Sequence, residues 1–506
     1  MTSPDGNLLQ GAPFQDSPYL PSRNASSYNP LHTFDLPKGT EKHYGQQYAD
    51  MYFLRLAQLK EAIKRQAEEA WKDFELAGEK ATMVDRVLDV RQGDLCWIIG
   101  TVYMEMALKP NVLDDIAKEH WIAAPPVRQT YMSSSGQDEM MLEDESGRLR
   151  ITGESLNSHY VTGCVLAALG TEQADGCFQV IATQYADLPR QPQRWERDDS
   201  ALAVLGKKNK PVTPKRGSAG KLAIVSGLEI TGTDDDDLAL DLLVQFLTGE
   251  LGAHPEQSRS GKITRLIIAG NSLSSSSPIL SREDFVNSKR DKGGKQQFGY
   301  HTSSYNASPA ERLDALLTDI LPSLPITLIP GASDPANVAL PQQALHPALF
   351  PQSRQYANPP VKSNESREGL DSVTNPWEGD IDGWRLLGTG GQTVDDLLKY
   401  VDEVEEMDVL EMMLRWRSIA PTAPDTLWCY PFQDDDPLIL RDCPHIYFAG
   451  NQSKFERRVI QGPADQKVLL LSIPKFRETK TLVVVDMETL EVETVEIGVV
   501  QPPTPE

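Results

Sequence analysis

Five short apolar runs in the second half of a 506-residue chain each end in a glycine turn followed by small polar residues. They are Val225-Ser226-Gly227-Leu228-Glu229, Ala269-Gly270-Asn271-Ser272, Pro330-Gly331-Ala332-Ser333-Asp334, Gly388-Thr389-Gly390-Gly391-Gln392 and Ala449-Gly450-Asn451-Gln452-Ser453. Short apolar runs closed by glycine predict buried strands, and helical patterns separate them. Residues 221–495 are therefore expected to form a layered α/β domain. Loops in such a domain gather beyond the carboxyl ends of its strands, so the five junctions should converge.

The strand candidates there are 222–225, 265–269, 326–329, 384–387, 445–449, 467–473 and 481–486, the last opening a hairpin around Met487-Glu488-Thr489. Asp234-Asp235-Asp236-Asp237 opens a helix through Leu238, Leu242 and Phe246, its acid complementing the helix dipole without any metal. Ser308-Pro309-Ala310-Glu311 reads as an N-cap, a first-turn proline and a capping-box Glu. Residues 394–416 read as one amphipathic helix through Leu397, Val401, Val404, Leu410 and Leu414.

The first half reads differently. Residues 1–42, rich in Pro, Ser, Asn and Gly, are expected to be a disordered tail. The 43–83 segment is helical, with Tyr52, Leu56, Leu59, Ile63, Ala67 and Trp71 at three- and four-residue steps. Residues 84–186 hold strands near 95–103, 161–170 and 178–182, and a hairpin over 141–153 turning at Glu145-Ser146-Gly147. That count of short strands predicts a small closed barrel of the OB type. Residues 187–220 read as a linker with a basic run at 206–217, and 496–506 as a tail.

Composition limits function. The net charge is −24, which opposes the counterion release that drives nucleic-acid binding. Few aromatics and several acids mark the barrel strands, so single-strand DNA binding, which needs exposed aromatics over a basic groove, is the weaker reading. No apolar run approaches the ~18 residues of a membrane span, and no secretory leader pattern opens the chain. Five cysteines without a C-x-x-C pair predict reduced thiols in a nuclear or cytosolic setting.

The five turns resemble those of a metallophosphoesterase whose ligands have been replaced. An active two-metal enzyme of that type carries Asp-x-His, Gly-Asp, Gly-Asn-His-Asp and Gly-His-x-His at these places. Here Gly227 and Glu229 stand in the first, Asn271 in the second, Ala332, Ser333 and Asp334 in the third, and Asn451 and Ser453 in the last. Two dications ~3.5–4 Å apart require several carboxylates and neutral imidazoles. The expectation is a catalytically inactive site with no metal and no other cofactor. The eight histidines supply no replacement set. Ser260-Gly261-Lys262 lacks the first glycine of a phosphate loop, since position 256 is Glu. No nucleophile elbow and no H-E-x-x-H occur.

Further motifs carry a more specific likeness: Leu328-Ile329-Pro330-Gly331-Ala332-Ser333-Asp334-Pro335, Leu340-Pro341-Gln342-Gln343-Ala344-Leu345-His346, Thr374-Asn375-Pro376, Ala420-Pro421-Thr422-Ala423-Pro424-Asp425 and Pro444-His445-Ile446-Tyr447-Phe448-Ala449-Gly450-Asn451-Gln452. With the barrel hairpin Glu143-Asp144-Glu145-Ser146-Gly147-Arg148, they make the chain resemble the B-subunit family of eukaryotic replicative DNA polymerases, its delta branch most closely, from about 43 to 495. The resemblance implies an OB-type β-barrel docked on a layered α/β, calcineurin-like but inactive phosphoesterase domain. It implies a nuclear, non-catalytic subunit. One partner would be the cysteine-rich C-terminal domain of the polymerase delta catalytic subunit, another the next accessory subunit, and polymerase zeta would share it. The competing expectations are a live phosphodiesterase with unusual ligands and a single-stranded DNA-binding module.

Overall fold

A computed structural model describes residues 23–498 apart from 40–41, 43–44, 46–47, 111–127, 134–137, 154–155, 157–158, 197–219, 232–236, 253, 275–306 and 358–368. The basic run 206–217, Asp234–Asp236 and the last eight residues lie outside the described residues.

The expected tail over 1–42 is overturned for its later part. Tyr28–Pro30 forms a strand, β1, and Phe34 is buried. The helix expected within 43–83 spans Tyr48–Trp71. It buries Leu56, Leu59, Ile63, Ala67 and Trp71 against Trp97, Ile99, Val165, Ala167 and Leu169, each large aliphatic side chain contributing roughly 1.5–3 kcal/mol. Beyond Trp71 the chain turns into a small hairpin, β2 (Glu75–Leu76) and β3 (Glu79–Lys80), because Ala77 and Gly78 adopt positive φ.

The barrel strands are β4 (Thr82–Met83), β5 (Cys96–Glu105), β6 (Glu139–Glu143), β7 (Arg148–Thr152), β8 (Val165–Glu172) and β9 (Phe178–Gln184). Their order is β4-β5-β6-β7-β9-β8, and β8 pairs back onto β5, so the barrel closes. The β6–β7 turn is fixed by Asp144, whose carboxylate accepts from the backbone N–H groups of Ser146, Gly147 and Val87.

The second half is built from β10 (Lys221–Val225), β11 (Ile263–Ala269), β12 (Ile326–Ile329), β13 (Leu370–Ser372), β14 (Trp377–Ile381), β15 (Trp384–Thr389), β16 (Ile446–Gln452), β17 (Glu456–Gln461), β18 (Lys467–Pro474), β19 (Thr481–Asp486) and β20 (Val492–Glu496). They form two six-stranded sheets, ordered β1-β14-β15-β16-β18-β17 and β13-β12-β11-β10-β19-β20. The two sheets face each other. Alternate residues of each central strand point to opposite sides, so Leu222, Ile224, Ile446 and Phe448 fill the space between the sheets. Ala223 and Val225 face helices Asp237–Thr248 and Ser308–Ile320 instead. Burial on both faces is why the parallel strands read as unbroken apolar runs.

Three further expectations change. Residues 394–416 form two helices, Gln392–Leu397 and Glu406–Arg415; Tyr400 turns inward to bond Asp425, and Glu403 takes positive φ, which ends helical propagation. Ser308 is the first residue of its helix rather than its cap, and Ala307 at the cap makes no side-chain bond. The linker expectation over 187–220 fails for 187–196, which is stitched to the second half: Gln191 donates to the carbonyls of Pro444 and Lys467. The barrel and the helices Gln392–Leu397 and Glu406–Arg415 share one apolar cluster, from Val102 and Leu142 to Leu397, Leu410 and Trp416.

Candidate functional site

The carboxyl ends of β10, β11, β12, β15 and β16 bring the five glycine turns into contact. Gly227 N–H donates to Gly270 O (3.0 Å) and Gly270 N–H to Ile329 O (3.0 Å). Gly270 lies at the centre with φ +85°. A Cβ there would stand 2.9 Å from Asn451 Nδ2, 3.0 Å from the Gly390 Cα and 3.2 Å from the Gly331 Cα. Only glycine lets four turns approach so closely.

Four of the positions singled out in the sequence, 271, 333, 334 and 451, hold these turns together. The Asn451 amide donates to Gly390 O (2.8 Å) and Ala269 O (3.3 Å), and its backbone N–H to Ser226 Oγ (2.9 Å). Asn271, at φ +50°, accepts from Ser333 N–H through Oδ1 (3.2 Å), and its carbonyl accepts Glu229 N–H (2.9 Å). Ser333 Oγ donates to Leu273 O (2.6 Å). Asp334 is buried; Oδ1 accepts from Leu273 N–H (2.8 Å), and Oδ2 from Gly331 N–H (2.8 Å) and Ser272 N–H (3.2 Å). Burial pushes its carboxyl up from the ordinary range, while those backbone donors pull it back. Ser453, at the rim, donates to Glu406 Oε1 (2.7 Å), and Ala332 is exposed.

In and beside the cluster, four buried oxygens have no protein hydrogen-bond partner: Asn451 Oδ1, Gln452 Oε1, Ser272 Oγ and Thr393 Oγ1. All are uncharged. Among the described residues no three His, Cys, Asp or Glu side chains gather as metal ligands would. His445 is buried at the far end of β16, His346 accepts from Ala348 N–H, and His43, His120 and His301 lie outside the described residues.

Two comparisons match this arrangement to known proteins. Residues 222–457, which contain all five turns, match the family described as the B subunit of DNA polymerase alpha/epsilon. Residues 47–183 match the DNA polymerase delta subunit OB-fold domain. The DNA polymerase delta small subunit of Oryza sativa subsp. japonica is 36% identical over 90% of this chain and 94% of its own length. The chain belongs to the DNA polymerase delta small-subunit family. Relatives in that family include the small subunits of Arabidopsis thaliana, 36% identical over 95% of this chain and 97% of its own, and Saccharomyces cerevisiae, 33% identical over 93% of each.

In this member of the delta small-subunit family, sequence reasoning missed a second tier of amides beneath the turns. Asn375 Oδ1 accepts from Gly390 N–H (2.9 Å), and its Nδ2 donates to Gln342 Oε1 (2.8 Å) and Gln392 Oε1 (2.9 Å). Gln342 Nε2 donates onward to Gly331 O (3.3 Å) and Asn337 O (3.0 Å). The signal was present: each amide adjoins a proline or glycine of the quoted motifs, in Leu340-Pro341-Gln342, Thr374-Asn375-Pro376 and Gly391-Gln392.

Proposed function

We propose that the chain is a non-catalytic accessory subunit of DNA polymerase delta, a scaffold that links the cysteine-rich C-terminal domain of the catalytic subunit to a further accessory subunit. It acts in the nucleus, in replication and repair synthesis, and serves polymerase zeta in the same way. Its second half, 221–495, is a calcineurin-like phosphoesterase scaffold that has lost its chemistry. The observation that carries this reading is the state of Asp334: the carboxylate left among the replaced ligand positions 271, 332–334, 451 and 453 already accepts three backbone N–H groups. Two adjacent dications need several free anionic or imidazole donors. Amide groups that donate to carbonyls and a saturated carboxylate do not fit them. The names of the relatives support the polymerase assignment.

A permanent contact of this kind buries on the order of 2,000 Å² or more. Co-expression with the C-terminal domain of the catalytic subunit tests it: the two are expected to co-elute in equal amounts, and separate elution overturns the scaffold reading. The enzyme reading is tested apart from that, by manganese-dependent hydrolysis of a phosphodiester. Turnover that disappears in an Asp334→Ala variant would establish an active site.

A further inference from the structure

The outermost strand of the first sheet comes from the arm Arg23–Lys38, and its anchors are specific. β1 pairs antiparallel with β14, Tyr28 opposite Ile381, Asn29 opposite Asp380 and Pro30 opposite Gly379. The Tyr28 hydroxyl donates to Asp371 Oδ2 (2.5 Å) on β13, so one residue joins the ends of both sheets. Its ring stacks on Trp377 (6.5 Å, 21°) and covers the Arg265 guanidinium, whose carbon lies 3.8 Å from the ring centre. Arg265 is 2% exposed and donates to Thr327 Oγ1 (3.0 Å), with its Nε unpartnered. A buried guanidinium with so few polar contacts depends on that aromatic face. Ser27 N–H donates to Asp382 Oδ1 (2.8 Å), Thr33 Oγ1 to Glu378 Oε2 (2.7 Å), and Gln343 brackets the arm by donating to Phe34 O and accepting from Leu36 N–H.

Every group that receives the arm belongs to the body: the β14 backbone, Trp377, Arg265, Asp371, Asp382 and Gln343. The contacts are those of strand addition, in which main-chain bonds give affinity and one side-chain slot gives selectivity. Pro30 ends the added strand and, lacking an N–H, leaves a poor template for further pairing. We propose that the β14 edge is a strand-binding site with an aromatic slot, filled in cis by the chain's own arm, and that the arm of a second copy fits the same site. Covalent connection gives the cis arm an effective concentration in the millimolar range, which keeps the site closed to trans arms while the chain is intact.

The test uses the full chain with a protease site placed between Lys38 and Tyr48, cut after folding, and a fluorescent peptide of residues 23–38. The cut arm is expected to stay bound and to exchange with the peptide saturably. A Tyr28→Ala peptide should bind at least tenfold more weakly, and the uncut chain should take up the native peptide at least a hundredfold less. Loss of the arm on cutting without peptide uptake would overturn the proposal. So would equal binding of the Tyr28→Ala peptide. Because the cut is made in folded protein, a failure of an arm-deleted chain to fold does not affect the result.

Discussion

Arg55 and Asp436 form an ion pair, Nε to Oδ2 2.6 Å, with side chains 1% and 0% exposed. Arg55 belongs to the N-terminal helix that packs on the barrel, and Asp436 lies in the loop before β16, so the pair clamps the two halves of the chain together. The guanidinium also donates to the carbonyls of Pro421 (3.3 Å) and Ala423. Burial works most strongly against the Arg55 charge, and Asp436, Cys429 and Tyr52 together outweigh it, holding the group above its ordinary range.

Replacing one partner leaves the other charged and buried. Arg55→Met is expected to cost roughly 3–5 kcal/mol in urea denaturation. Asp436→Asn on that background removes the orphaned charge while keeping an acceptor for Leu438 N–H, and should recover about half of the loss. A double variant no more stable than Arg55→Met would mean that the pair is not coupled.

Gly270 and Gly176 separate backbone strain from crowding. Both have positive φ, but nothing lies within 4 Å of a Cβ at Gly176. Gly176→Ala is expected to cost about 1 kcal/mol, the left-handed penalty alone. Gly270→Ala must in addition move Asn451 and the Gly390 and Gly331 backbones, and should cost at least about 2 kcal/mol more. Equal losses by thermal denaturation would show that the turns separate easily.

What the sequence made legible was local. Gly227, Gly270, Gly331, Gly390 and Gly450 mark their turns because close approach and positive φ are properties of the residue itself. The β6–β7 hairpin was readable from Glu145-Ser146-Gly147 for the same reason. Tyr28–Pro30 was not, since a three-residue strand has no period and its partner, Trp377–Ile381, lies some 350 positions away. The break between Leu397 and Glu406 was hidden because Val401 and Val404 keep the helical spacing while Tyr400 is drawn inward by Asp425, a tertiary effect on a favourable local pattern. For the amide tier of Gln342, Asn375 and Gln392 only a local mark was present, the proline or glycine beside each; their convergence from separate loops leaves no shared pattern in the sequence.

The residues on either side of 197–219 are held at one place, around Met487. Arg194 Nη2 donates to Met487 O (3.1 Å), and Met487 N–H donates to Gly220 O (3.0 Å). Trp195 N–H is fixed to Gly383 O (3.0 Å), and Trp384 Nε1 to Met487 O (2.7 Å). Both flanks therefore belong to the second half, and no spacer between halves is needed there.

His445 should make stability fall on mild acidification. Its Nδ1 accepts Arg385 N–H (3.1 Å), its other nitrogen faces the Pro192 carbonyl, and its ring meets Trp384 edge-on at 5.0 Å. Burial, then the positive charges of Arg385 and Arg194 against the opposing Asp380, lower it to about 4 from the ordinary 6.5. The unfolded chain thus takes up the proton first. The stabilisation is fully present above pH 6.5 and is lost as pH falls toward 4, because imidazolium cannot accept the Arg385 N–H. The expected loss is roughly 1–3 kcal/mol, after allowance for solvent screening. Carboxylates also titrate below about pH 5, so the difference between the wild type and His445→Gln isolates the effect. The Gln amide can accept from Arg385 without titrating, and its urea midpoint should fall less between about pH 7.5 and 5. Parallel curves for the two proteins would mean that folding leaves the proton affinity of His445 unchanged.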